Sequence, residues 1–155
     1  MEQGFFDHVR DAVESLLGDD HGAVHGSSHR RGVKIWIDPT GDRAAKTNPA
    51  PKEHYEAQLV RHAGDVALEI GFHAEHRDPA ANQRTLAHLL ADEPSWRAEL
   101  GAEAEAGPFL GMDDWSRVSE LWAAPDPDDP EAPMEVAARL ADYVDAIEPS
   151  RQRRS

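Results

Sequence analysis

Residues 54 to 75 read HYEAQLVRHAGDVALEIGFHAE, and no other stretch limits the fold so tightly. Tyr55, Ala57 and Leu59 alternate with His54, Glu56 and Gln58. Further on, Val66, Leu68, Ile70, Phe72 and Ala74 alternate with Ala67, Glu69, Gly71, His73 and Glu75. A period of two belongs to a strand with one apolar and one polar face. RHAGD between the two runs carries turn chemistry, so the spacing predicts an antiparallel hairpin.

Apolar residues of the two strands must share a side, which admits only every second register. One choice sets Glu56 opposite Glu69, and like charges directly opposite are unfavourable. A shift by two sets Tyr55 against Phe72, Ala57 against Ile70 and Leu59 against Leu68. On the polar face it sets Lys52 against Glu75, His54 against His73, Glu56 against Gly71, and Gln58 against Glu69. This register is the expected one. It makes His54 and His73 neighbours about 5 Å apart at Cβ, with Gly71 leaving room beside Glu56. Glu69 would stand about 13 Å along the strand from His73, too far to share a metal ion with it.

The flanking segments supply further elements. Phe6, Val9, Val13 and Leu16 form one stripe of a helix over 5–17, which Gly18 can close. DDHGAVHGSSHRRG, with His21, His25 and His29, reads as a loop. VKIWID (33–38) alternates as a strand, and PTGDRAAKTNPAPKE (39–53) is turn-rich. A helix is expected from Asp78 with Pro79 in its first turn, burying Leu86, Leu89 and Leu90. Pro94 interrupts it before a short helix over SWRAEL that ends near Gly101. GAEAEAGP reads as a loop, WSRVSELW (115–122) as a fourth strand, and APDPDDPEAP as a solvated connection. A last helix over about 133–147 carries Met134, Ala137, Leu140, Ala141, Val144 and Ile147 on one stripe. In PFLGMDDW (108–115), Phe109, Leu110 and Trp115 read as core.

Helices can cover only the apolar sheet face without burying unpaired acids. The expectation is therefore an α+β fold. It is a two-layer sandwich of about four mostly antiparallel strands with helices on one face and the other face open to water. Residues 1–149 form one domain, and 150–155, SRQRRS, form a frayed basic tail.

Composition bounds the function. Among 155 residues there is no cysteine, so disulfides, thiol catalysis and zinc–thiolate sites are excluded. Asp and Glu number 30 against 16 Lys and Arg, a formal net charge of −14. Such a field repels phosphate backbones, so duplex DNA is not an expected partner. The start has acids by residue 7, and no apolar run nears the roughly 18 residues of a membrane span. A soluble, cytoplasmic protein without membrane contact is expected.

Chemistry concentrates on the polar face. Two imidazoles and a carboxylate around one cation make a familiar metal-ligand set, which His54, His73 and Glu56 could supply with Glu75 as a further ligand. Trp36, Asp38, Gln58 and Glu69 share that face and are candidates to bind a ligand. The competing expectation is a solvated face whose charges prevent aggregation. The element order also resembles the core of restriction-endonuclease-like nucleases, which hold a cation with an acid on one strand and an acid-x-lysine on the next. Asp38 followed by Glu56-Ala57-Gln58 approximates that pattern with glutamine in place of the base, and Glu69-Ile70-Gly71 lacks it.

HYEAQ, LEIGFHAEH, GPFLG and ARLADYVDAIEP together resemble a family of uncharacterised actinobacterial proteins, over most of the chain. More loosely, the second half is similar to an uncharacterised domain that follows nuclease modules in bacterial defence proteins. Neither resemblance implies an activity. The functional expectation is a small acidic module that binds a protein or small-molecule ligand and needs no cofactor beyond a possible divalent metal. The alternative is a metal-dependent hydrolase or nuclease-like phosphodiesterase working from the polar face.

Overall fold

The computed structural model describes residues 3–42, 50–109 and 111–154. Part of the turn-rich 39–53 segment, Leu110 and the last residue of the 150–155 segment lie outside them. Along the chain come α1 (Gln3–Leu17), β1 (Ala23–His29), β2 (Gly32–Asp38), β3 (Glu53–His62), β4 (Asp65–Ala74), α2 (Pro79–Ala91), α3 (Glu93–Leu100), β5 (Glu105–Phe109), β6 (Met112–Ala123) and α4 (Ala132–Arg153). The fold is α+β, with six strands in the order β1-β2-β3-β4-β6-β5 and every neighbouring pair antiparallel.

Two strands more are present than the expected four. The segment 23–29 is β1, paired with β2 from Ala23↔Asp38 to His29↔Gly32. Glu105–Phe109 is β5, paired with β6. Both are edge strands, and neither alternates in polarity. Pro108 is tolerated in β5 because it is an edge strand.

The β3–β4 hairpin has the expected register, with Tyr55↔Phe72, His54↔His73, Glu56↔Gly71 and Gln58↔Glu69. Ala63 and Gly64 turn the chain with φ of 53° and 81°, both positive as a two-residue type I′ turn requires. Gly71 has a different role from the one expected. A Cβ there would lie 2.5 Å from Ser119 Cα, so glycine lets β6 approach rather than leaving open space.

The apolar face of β2, β3 and β4 is buried against α1 and α4. Phe6, Val9 and Val13 are dehydrated as expected, but Leu17 completes the stripe and Leu16 is exposed; a step of four from Val13 follows the 3.6-residue turn better here than a step of three. Asp78 caps α2 by accepting from the Ala80 amide at 3.0 Å. That helix buries Asn82, Thr85 and Leu89; Leu90 is exposed and Leu86 only partly buried. The inward polar side chains have partners that justify it: Asn82 Nδ2 donates to the His76 and Asp114 carbonyls, and Thr85 Oγ1 donates to Glu53.

On α4, Ala137, Leu140, Ala141, Val144 and Ile147 are buried and Met134 is exposed. The helix runs past Pro149 to Arg153, so the segment read as a frayed basic tail is mostly helical. Its arginines are anchored: Arg151 to Glu148 and Glu53, Arg154 to Glu53, and Arg153 to Asp92. Among the described residues, no helix is long and apolar enough to cross a membrane.

Candidate metal centre

Around the histidines the polar face is not open to water, although Lys34, Trp36, Asp38 and Gln58 at its margins stay partly exposed. His54, Glu56, Glu69, His73 and Ser119 are buried, the last three completely. The expectation of a wet face assumed unpaired acids, and here each acid has a donor. Phe109 packs edge-on against His73 with ring centroids 4.6 Å apart, and Trp115 packs against Phe109 at 5.7 Å. Arg117, the residue opposite His73 on β6, is also buried and donates to Ser119 Oγ and Glu105. The register shift between Pro108 and Phe109 accompanies this placement of the aromatic ring.

Alternation along β3 and β4 sends His54, Glu56, His73 and Glu75 to the same side, and the register brings them together. One ligand atom from each lies within 4.8 Å of all the others. They close a circuit: His54 Nε2 to Glu56 Oε1 is 3.0 Å, Glu56 Oε1 to His73 Nδ1 is 3.0 Å, His73 Nδ1 to Glu75 Oε2 is 3.2 Å, and Glu75 Oε2 to His54 Nε2 is 3.7 Å. Ligands bound at 2.0–2.1 Å around a four-coordinate zinc ion stand about 3.3 Å apart.

The far nitrogen of each imidazole is already committed. His54 Nδ1 is 2.8 Å from the Pro51 carbonyl oxygen, which can only accept, so that nitrogen carries the proton. His73 Nε2 is 2.7 and 2.9 Å from the two oxygens of Glu69 and donates to them. Each ring therefore turns its other nitrogen toward Glu56 and Glu75. At that position it holds either a second proton or a metal ion, because a carboxylate offers no donor.

The electrostatics agree with a site that attracts cations. Burial alone would lower His73, but the carboxylates of Glu69, Glu56 and Glu75 outweigh it and hold its pKa well above the ordinary 6.5. Burial would raise Glu56; hydrogen bonds from His54 and His73 reverse that and keep it well below the usual carboxylate range. Glu69 is lowered against its own burial by the charge and hydrogen bond of His73, with Ser119 and Gln58 adding to it. Three carboxylates converge on two imidazoles, so even with a charged His73 the carboxylates outnumber the positive charge within the cluster.

Of the eight site residues read from the sequence, six come together. Gln58 joins through its Nε2, which donates to Glu69 Oε1 at 3.1 Å. Glu69 reaches His73 despite the expected spacing along the strand, because the two side chains lean toward one another over Gly71, which has none. Trp36 and Asp38 do not take part. Trp36 stacks on His25, its partner on β1, at 6.1 Å between rings. Asp38 accepts from the amide and hydroxyl of Thr40 at the exposed end of β2; these bonds lower its pKa. Lys34, not Asp38, is the β2 residue opposite Glu56, so the two-acid nuclease pattern is not assembled. His25 and His29 lie on β1, and His21 pairs with Asp145 at 2.8 Å.

Sequence reasoning read Phe109 as core, which it is, without placing it over His73, and missed Arg117 and the Pro51 carbonyl. The alternation of β6 sets Arg117 and Ser119 opposite His73 and Gly71, and that pattern was the available signal for Arg117. Nothing local marks the contact of Phe109 with His73, which depends on how β5 returns along β6. Comparison with protein families, curated proteins and solved structures gives no match for this chain.

Proposed function

We propose that this chain is a small binding module, built as a two-layer α+β unit, whose ligand is a divalent metal ion held by His54, Glu56, His73 and Glu75. The observation that carries the reading is the orientation of the two imidazoles. Each donates its outer N–H to a fixed acceptor and presents its inner nitrogen to the same pair of carboxylates, the arrangement that prepares histidine for ligation. A solvated sheet face would not need that convergence. Four protein donors, two of them on fully dehydrated rings, favour a closed site that holds an ion over a hydrolytic one, which keeps a position open for water.

Titration of demetallated protein with zinc, nickel and manganese tests this. Wild type should bind at least one of them more tightly than about 100 μM near neutral pH. His73→Ala and His54→Ala should each lose that binding. Protons compete for the inner nitrogen of His73, whose pKa is raised, so affinity should fall as pH is lowered from about 7.5 to about 5.5. Wild type that binds none of the three ions, or variants that bind as wild type does, would overturn the reading.

A further inference from the structure

Resting on that reading, we infer that the centre selects borderline transition ions such as zinc or cobalt over magnesium and calcium, and that Glu69 is the positioning residue that makes it do so. Two of the four converging donors are imidazole nitrogens. Imidazole suits late first-row ions, whereas calcium takes six to eight oxygens and magnesium a near-octahedral oxygen shell that retains water. The oxygen supply here is too small for either. Glu69, the third carboxylate of the cluster, is not available as a ligand: both its oxygens face His73 Nε2, and one also accepts from Gln58.

Because Glu69 is fully buried and bonded on both sides, its effect passes through His73. It accepts the Nε2 proton and so turns the Nδ1 lone pair toward Glu56 and Glu75. It also makes that nitrogen a stronger donor. The Pro51 carbonyl does the equivalent for His54 with a neutral acceptor. A carboxylate behind one imidazole and a carbonyl behind the other make His73 the stronger ligand of the pair.

Cobalt is the probe, since its visible absorption reports donor set and geometry. Wild type should develop a cobalt spectrum that equimolar zinc abolishes and that about a thousandfold excess of magnesium or calcium leaves unchanged. Glu69→Gln keeps the shape and still accepts a hydrogen bond, and should weaken cobalt binding by about 10- to 100-fold. The nitrogen chemical shifts of His73 supply the readout that a merely structural role would not move. Zinc-loaded wild type should show a protonated Nε2 and a ligated Nδ1, and that pattern should weaken in folded Glu69→Gln. If wild type binds no divalent ion, the metal-binding reading itself falls. If it binds cobalt but magnesium or calcium displaces it as readily as zinc, that reading stands and the selectivity is wrong. If Glu69→Gln binds cobalt as wild type does with the same His73 pattern, the role of Glu69 is refuted.

Discussion

Glu53 is a buried acid whose charge should contribute measurably to the stability of the fold. It begins β3, faces the helices, and is almost fully dehydrated. Its Oε1 accepts from Arg151 Nε and Nη2 at 3.2 and 3.1 Å and from Arg154 Nη2 at 2.9 Å. Its Oε2 accepts from His76 Nε2 at 2.7 Å and Thr85 Oγ1 at 2.9 Å. Burial would raise its pKa; the His76 hydrogen bond, the charges of Arg151 and Arg154 and the Thr85 hydroxyl reverse that and bring it from 4.5 down to about 2. At about 1.4 kcal/mol per pH unit, the difference amounts to about 3 kcal/mol of folding stability. The pKa is depressed in the folded state, so this contribution is complete above about pH 4.5 and is lost as pH falls through about 2. Glu53→Gln preserves the shape and removes the charge. Urea unfolding of both proteins between about pH 7 and pH 2 follows the effect as the difference between them. The gap between them should be about 3 kcal/mol at neutral pH and close to nothing at the acid end. A gap that stays constant across that range would refute the assignment of this stability to the ionised carboxylate.

Two further outcomes follow from packing and turn geometry. Leu140 is wholly buried between α4 and the sheet, and Leu140→Ala should cost roughly 2–5 kcal/mol in denaturant unfolding; a loss under about 0.5 kcal/mol would mean that α4 adds little to the core. Ala63 holds a left-handed conformation in the β3–β4 turn, so Ala63→Asn, the residue a type I′ turn prefers before glycine, should raise stability by about 0.5–1 kcal/mol in the same assay.

Several features were legible in the chain itself. The alternation over 54–75, together with repulsion between Glu56 and Glu69, selects one hairpin register, and with it the meeting of His54 and His73. The stripe on α4 and the Asp78-Pro79 start of α2 are equally local. These hold because a period or a cap depends on residues within a turn or two of one another. Edge strands do not work that way. His25-Gly26-Ser27-Ser28-His29 has no apolar period, and it becomes β1 because β2 offers an unpaired edge.

Tertiary structure also decided which polar side chains lose water. Alternation assigned Glu56, Glu69 and His73 to the polar side correctly, yet whether that side is wet depends on β6 closing against Gly71 and on Phe109 lying over His73. The basic end of α4 likewise acquires its place from Glu53, about a hundred residues earlier in the chain. Local pattern determines which face a side chain takes. The partners that make burial of a charge tolerable are distant in sequence, and only the folded chain brings them within hydrogen-bond reach.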